Sequence, residues 1–463
     1  MSEDLKARKE KLFSAEKNGY ANLSAAREAE MEDYCGKYMD FLRRGVTERL
    51  AAQRAVELAQ ERGFKEYRRG MALHAGDKVY TCNRGKGVML AVIGEKPLAA
   101  GAQIAAAHID SPRLDLKPNP LYEDGELCYF KTHYYGGIRK YQWVTIPLAI
   151  HGIVALRDGT AVQVHLGQGA EPKFVITDLL PHLGQEQGKK PLSEAIPAET
   201  LNILLGSRPV TGEGSDRVKL NIMEKLFEKY GITEDDFTSA ELECVPALEP
   251  TVIGLDGSLI GAYGHDDRVC AYAALQALLE LERPAKTAVC VLADKEEIGS
   301  MGVTGMQSAC FDTFMHDLCD AQHVLLRECL ENSFCLSADV TAAFDPNFAD
   351  VFEKRNAAYL NHGIGFCKYT GARGKSGASD ASAETVAYVR RLMDDAGVVW
   401  QIAELGKTDL GGGGTVAQYM ANRNIATLDA GVPVLSMHAP FEVVAKLDCY
   451  MTYRGCKAVF EAE

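Results

Sequence analysis

Two glutamates, Glu296 and Glu297, stand side by side in VLADKEEIGSMG (291–302), directly after an apolar run that reads as a buried strand. Like charges repel, and a buried carboxylate is costly unless a partner or a cation meets it. Adjacent residues on an extended chain point in different directions, so one glutamate can hold a metal while the other faces the water bound to it. Other segments share this character. QIAAAHIDSPR puts His108 and Asp110 two apart, which places both on one face of a strand, as a carboxylate must lie to orient a ligating imidazole. Asp266 and Asp267 of GHDDRV open a helical run, where an aspartate also serves as an N-cap; His265 beside them reads as a surface or loop residue rather than a ligand. Asp339 ends the short strand of CLSADV, and His438 ends the apolar strand of VPVLSMH. Each of these, alone, also fits a cap or a satisfied core group. Together, His108, Asp266, Glu297, Asp339 and His438 are nitrogen and oxygen donors without a thiolate. Such a set suits two divalent ions sharing a bridging carboxylate, zinc first, with cobalt or manganese as alternatives.

Competing motifs fail. GARGKSG (371–377) contains Gly-Lys-Ser, but a phosphate-binding loop needs a glycine five residues before Gly374, and Tyr369 stands there. No HExxH motif is present. LGGGGTV (410–416) has no lysine after its glycines and reads as a backbone-lined loop beside a ligand.

The elements that must position these groups show in the hydrophobic periodicity. Two helical stretches, AAREAEMEDYCGKYMDFLRRG and TERLAAQRAVELAQERG, come first, the second closing at Gly63 in a left-handed cap. Strand-like runs follow at DKVYTCNR, GVMLAVIG and QIAAAHID; the unbroken apolar character of the last predicts burial on both faces. From about 120 to 255 the texture changes to short strands (WVTIPLAIHGIVAL, AVQVHL, KFVITDLL) broken by Gly, Pro and the polar stretch GQEQGKKPLSEAIPAET, as an inserted β-rich unit would be. Beyond it, apolar strands alternate with amphipathic helices, the pattern of an α/β layered sheet.

At 463 residues the chain has room for two domains, or for one domain with a large insertion. No 18-residue apolar run exists and MSEDLKARKEKLF is charged throughout, so neither a transmembrane helix nor a signal peptide is expected, and the expected location is cytoplasmic. Thirteen cysteines, an odd number with no C-x-x-C pair, read as reduced core thiols. A net charge of −14 argues against nucleic acid or anionic membrane as partner and fits small substrates or peptides.

Taken in order, HID, HDDRV, DKEEIGS, SAD and SMH resemble the motifs of the M18 family of metallo-aminopeptidases, which has aspartyl and leucine-type branches, across the span from His108 to His438. The resemblance implies a three-layer α/β/α catalytic domain with a mixed sheet, of the clan that binds two co-catalytic metals. That domain would be formed by residues 1–117 and 258–463 and interrupted by a β-rich assembly domain at 118–257. It further implies a homo-oligomer, a dodecamer of tetrahedral shape, and short peptides with a free N-terminus as substrates. Carried over residue by residue, His108 matches a ligand of one metal, Asp110 the residue that orients the site, and Asp266 the bridging carboxylate, with Asp267 where members often carry Asn. Glu296 matches the general base and Glu297 a metal ligand, while Asp339 and His438 match ligands of one metal and the other. His151 in TIPLAIHGI resembles a histidine that reaches a neighbouring subunit's site and equally fits a buried strand position; Lys368 in GFCKYTG falls where the family has a substrate-contacting lysine. The implied reaction is removal of the N-terminal residue by a metal-activated water, Glu296 taking its proton and returning it to the leaving amine. Another two-metal amide hydrolase, such as a deacylase, would use the same ligands. Where aspartyl aminopeptidases read S-A-D-M-A-H-A-x-H-P-N, this chain has SADVTAAFDPN, with Ala342 and Asp345 in place of two histidines, and their Gly-Ser-Thr loop is here GGGGTV. Both departures point to neutral or broad specificity.

Overall fold

A computed structural model describes residues 2–13 and 18–463. The strand Thr287–Ala293 is apolar throughout because both of its faces are covered. Ala288, Cys290 and Leu292 enter one core and Val289, Val291 and Ala293 another, the period-two division of a pleated strand. Ala102–His108 divides in the same way, Ala105 and Ala107 against Ile104 and Ala106. Both strands lie in a nine-stranded mixed sheet, ordered Lys65–Glu66, Lys78–Asn83, Gly87–Val92, Thr287–Ala293, Ala102–His108, Phe334–Ser337, Ala426–Gly431, Ile364–Cys367 and Trp400–Ile402. Thr287–Ala293, Ala102–His108, Phe334–Ser337 and Ala426–Gly431 run parallel. After Ala102–His108, the next strand of this sheet in the chain lies on one side of it and the following one on the other. The carboxyl end of Ala102–His108 is therefore a topological switch point, where open α/β sheets leave a crevice for ligands.

Helices cover both faces. Ala25–Arg44, Glu48–Glu61, His265–Leu279, Ala383–Ala396 and Lys446–Phe460 pack on one core, and Cys310–Ala321, Leu326–Glu331 and Ala417–Ala421 on the other. The result is an α/β layered sheet, as the alternation predicts, in the three-layer α/β/α form with a mixed sheet that the family resemblance implies. His265–Leu279 is buried at every residue but Gln276, and its alanines let it lie close against the sheet. Ser24 and Thr47 cap the first two of these helices by accepting from Arg27 and Leu50 N–H, and Gly63 takes the left-handed conformation after the second, at φ 83°. A further helix, Ser2–Leu12, precedes the two read from periodicity.

From Arg113 to Pro246 the chain builds a second sheet of six antiparallel strands, ordered Ala161–Leu166, Leu148–Ala155, Ala240–Pro246, Arg113–Asp124, Leu127–Tyr135 and Ile203–Gly206. Its own core includes Leu114, Phe130, Trp143, Ile150 and Cys244. KFVITDLL, expected as a strand, instead makes isolated bridges from Phe174 to Leu148 and from Val175 to Leu204; it touches two different strands for one residue each and runs along neither. A third sheet joins Thr251–Ile253, Leu259–Ala262, Glu442–Ala445, Pro433–Leu435 and Thr341–Ala342. All thirteen cysteines are free thiols, and all but Cys82 and Cys310 are buried. Among the described residues no helix is long and apolar enough to cross a membrane.

The strand that carries His108 starts from Gly101, at φ 84° and ψ 171°, a region that only glycine occupies readily. A Cβ there would lie 1.9 Å from the Asn332 carbonyl oxygen. Gly101→Ala is expected to cost about 3 kcal/mol or more, seen as a lowered thermal midpoint. Gly125→Ala, in a turn at φ 55° with nothing within 4 Å of its Cβ position, should cost only about 1–2 kcal/mol. Equal losses would refute the steric account.

Candidate active site

His108 is the last residue of its strand, and the amide of Ile109 bonds the Ala293 carbonyl at 2.8 Å, so two neighbouring strands end together. The ring of His108 donates from Nδ1 to the Asp110 main-chain carbonyl at 3.0 Å. A carbonyl only accepts, which leaves Nε2 unprotonated in the neutral ring and able to bind a cation. That nitrogen lies 3.1 Å from Asp266 Oδ1 and 3.9 Å from both Asp339 Oδ1 and Glu296 Oε2. His438 repeats the device: Nδ1 donates to the Gly137 carbonyl at 3.0 Å, and Nε2 lies 3.2 Å from Asp266 Oδ2 and 3.5 Å from Glu297 Oε2. Asp266 thus offers one oxygen to each imidazole.

Asp110 works from behind. Its carboxylate accepts from Glu296 N–H and Glu297 N–H, each at 3.2 Å, and from the Tyr135 hydroxyl at 2.7 Å. The two glutamates sit on one 3-10 turn, entered by Lys295 at φ 69° and left by Gly299 at φ 86°. Asp110 fixes that turn from one end. Although Asp110 is buried, its hydrogen bonds to His108 and Tyr135 and the nearby Arg113 keep its carboxyl below the usual range. Arg113 lies over the Tyr135 ring, 3.8 Å from its centre.

Asp266 and Asp267 do not cap the helix His265–Leu279. Their backbone is non-helical and no side chain caps its first turn; Asp266 faces the two imidazoles, and Asp267 accepts from His108 N–H at 3.2 Å. His265 is no loop residue. It is fully buried, accepts at Nδ1 from the Tyr38 hydroxyl at 2.7 Å and donates from Nε2 to the Ile260 carbonyl at 3.2 Å, and burial pushes it down to about 3. The helix Ala25–Arg44, packed over this turn, supplies Tyr38 and excludes water.

The charge balance among these groups is uneven. Burial, then the carboxylates of Asp110 and Asp266, push Glu296 up to about 7 against the pull of the histidines. Glu297 and Asp339 are raised well above the carboxylate range, again chiefly by burial. His438 rises to about 10, because its bond to Asp266 and the charge of Glu297 outweigh the cost of burying the charged ring. Burial thus favours the protonated forms of Glu297 and Asp339, and neighbouring carboxylates those of both imidazoles, while the two histidines hold Asp266 below the carboxylate range, a balance short of positive charge. Glu297 Oε1 and Asp267 Oδ1 are buried without a hydrogen-bond partner. Donor atoms of His108, Asp266 and Glu297, and of His108, Asp267 and Asp339, lie within 4.8 Å of one another. These nitrogen and oxygen donors fit zinc or a similar divalent ion.

A cavity of about 580 Å³ opens over the cluster. Asp266, Glu296, Glu297, Asp339 and His438 form one side of it, and loops from 369–375 and 404–415 contribute much of the remainder. Gly411–Gly414 line it, in keeping with the reading of LGGGGTV as a backbone-lined loop. Gly412, at φ 116°, packs so closely on the neighbouring loop that a Cβ would lie 1.9 Å from the Gly371 oxygen.

The structure therefore gathers His108, Asp110, Asp266, Glu296, Glu297, Asp339 and His438. His151 and Lys368 do not line this cavity. His151 is buried in the antiparallel sheet opposite His165, their Nδ1 atoms 3.1 Å apart, and burial with that neighbour lowers it to about 4. Lys368 is exposed and bonds Asp380 at 2.6 Å. Residues not foreseen from sequence complete the site. Glu442 accepts from both Asp266 N–H (3.1 Å) and His438 N–H (2.7 Å) and so ties two donor turns together; its place four residues after His438 in an apolar strand was the one available hint. Asp429, buried on Ala426–Gly431, lines the cavity and is raised by burial to about 7. Tyr135 and the Gly137 carbonyl come from the antiparallel sheet and its exit, with no motif to mark them.

A mixed α/β sheet whose carboxyl edge gathers these donors has the makings of a metalloenzyme of the α/β class. The family model described as aminopeptidase I zinc metalloprotease (M18) matches residues 41–460. A probable M18 family aminopeptidase 1 of Clostridium acetobutylicum is 50% identical over 432 residues, 91% of this chain and 93% of its own. The crystal structure of an M18 family aminopeptidase from Thermotoga maritima has a TM-score of 0.93 at 42% identity, covering 97% of this chain and 99% of its own. The yeast mApe1 dodecamer shares the fold, with a TM-score of 0.75 at 21% identity over 93% of this chain and 97% of its own. The chain belongs to the M18 family of zinc metalloproteases, as an aminopeptidase.

Metal binding must then stabilise the fold by relieving the buried charge. Zinc at about 100 times its dissociation constant should add about 2.7 kcal/mol and raise the thermal midpoint over that of chelated protein. His438→Ala with Glu297→Gln should shrink the rise. An identical midpoint with and without zinc would contradict the fit of the donor set.

Proposed function

We propose that this aminopeptidase holds two divalent ions, one toward His108 and Asp339 and one toward His438 and Glu297, with Asp266 bridging them and Glu296 acting as general base. The observation that carries this reading is the pair of Asp266 oxygens, 3.1 and 3.2 Å from the Nε2 atoms of two different imidazoles. Each imidazole has its other nitrogen engaged by a main-chain carbonyl. Zinc is the first choice of ion, with cobalt or manganese as alternatives. Bound there, the ions would supply Lewis acidity for the scissile carbonyl and for water.

The protein's own residues do the rest. Glu296 lines the cavity with its backbone pinned by Asp110, and its carboxylate, on the same turn as Glu297, is left free of hydrogen bonds to the protein among the described residues. A carboxylate that faces the cavity beside the donor set suits a group that takes a proton from water and returns it to the leaving amine. The surrounding carboxylates receive the substrate's free ammonium group. His151 and Lys368 are given no step.

Neutral or broad specificity accords with what replaces the two histidines of the aspartyl branch. Ala342 lies in a two-residue strand, and Asp345 spends its carboxylate on the Asn347 amide at 2.9 Å. Substrates are short peptides with a free N-terminus. We assign residues 118–257 as the inserted assembly domain and 1–117 with 258–463 as the catalytic domain. The assembly is a homo-oligomer, a tetrahedral dodecamer, working in the cytoplasm. The separate core of the antiparallel sheet and the exposed Leu179, Leu180, Leu183 and Leu192, in the segment between its strands Ala161–Leu166 and Ile203–Gly206, support an assembly role.

Two measurements test the chemistry. Glu296→Gln should keep its bound zinc and lose about 10²–10⁴-fold in kcat; near-normal turnover would remove Glu296 from its role. Unblocked leucyl peptides should be cleaved and their N-acetyl forms left intact. The reverse preference would mark a deacylase instead.

A further inference from the structure

The sheet edge gives the cavity carboxylates and an imidazole, whereas the loops 369–375 and 404–415 bring Arg373, Lys375 and Lys407. Some of the loop charge is already answered. Lys375 bonds Asp380 at 2.8 Å and lies over the Tyr369 ring at 4.0 Å, and Glu404 accepts from the Tyr369 hydroxyl at 2.5 Å. The ion pairs of these loops take Lys368 and Lys375, both to Asp380. Among the described residues, Arg373 and Lys407 form none.

Neither cation hangs on a loose segment. Arg373 sits at φ 48° in a tight turn closed by the Ala372–Ser376 bridge, and the turn is docked on the glycine loop by Gly371 N–H to the Gly413 carbonyl at 2.6 Å. Lys407 donates its N–H to the Val351 carbonyl at 2.9 Å, while its own carbonyl accepts from Leu410 and Gly411 N–H at 2.9 and 2.7 Å. Two cations without counter-charge, held on anchored loops around a substrate cavity, attract an anion. The flat guanidinium favours a carboxylate in particular. A short peptide is a zwitterion. With its ammonium group at the acidic edge, its negative charge is left for these loops.

We propose that Arg373 and Lys407 form a carboxylate-binding subsite in the cavity, so that the enzyme favours short peptides carrying a carboxylate close to the residue it removes. The inference rests on the peptidase reading above. The carboxylate can be the C-terminus of a very short peptide or the side chain of an acidic second residue, and the test separates them.

Zinc-loaded enzyme is assayed on Leu-Gly-Gly against Leu-Gly-Gly-amide, and on Leu-Glu-amide against Leu-Gln-amide. The first pair reads a terminal carboxylate and the second a side chain. In at least one pair the acid form should be favoured about tenfold in kcat/KM at low ionic strength, with the ratio falling as salt is added. Arg373→Gln with Lys407→Gln should bring that ratio to near one, and Arg373→Lys alone should keep part of it. Equal rates within both pairs overturn the subsite. So does a double variant whose ratio is unchanged while its thermal midpoint falls, which makes the two residues structural. If zinc-loaded enzyme cleaves no unblocked peptide, the peptidase reading falls and the subsite with it.

Discussion

Carboxylates from Asp110, Asp266, Asp267, Glu296, Glu297 and Asp339 converge on the imidazoles of His108 and His438 at one buried sheet edge. Charges that far from water repel strongly and lose their hydration. Asp110 relieves its share with the Tyr135 hydroxyl and two backbone amides. Glu297 and Asp339, and Asp267 despite its bond from His108 N–H, stay driven toward their protonated forms by burial. What remains uncompensated in the protein alone is the positive charge that a divalent cation carries, and a neutral main-chain carbonyl stands behind each of the two imidazoles.

Three sheets meet that demand together. The nine-stranded sheet presents His108, Asp339 and the glutamate turn at its parallel edge. The five-stranded sheet leads the chain to His438 and contributes Glu442, whose carboxylate draws the Asp266 and His438 backbones to one point. The antiparallel sheet ends in Tyr135 and leads on to Gly137, which fasten Asp110 and His438. No single layer contains the site.

Much of this was legible in the chain because burial leaves a strong imprint. The unbroken apolar run of Ala102–His108 reads as a strand covered on both faces, and the charged residues directly after the buried strand Thr287–Ala293 need a reason to be there. The glycines of LGGGGTV announced a close backbone approach. What stayed hidden acts through ordinary groups far apart in sequence. A phenol at Tyr135 and a main-chain carbonyl at Gly137 carry no signature, and both depend on the placement of one sheet against another. His265 misled because histidine next to paired aspartates looks polar and exposed, whereas Tyr38, more than two hundred residues earlier, seals it in. KFVITDLL misled because its composition suits a strand, yet the two strand edges beside it each accept only one of its residues.

The fastening of His438 by Gly137 and of Asp110 by Tyr135 limits how this protein can be simplified. The antiparallel sheet resembles an accessory, with its own core and a single run of sequence between two halves of the larger fold. Cutting it out to make a smaller catalyst would free the His438 ring to turn and strip Asp110 of the phenol that holds it, leaving the donors present but no longer aimed. The accessory's outer surface can be changed without reaching the donors, whereas Tyr135 and Gly137 cannot be moved without moving them.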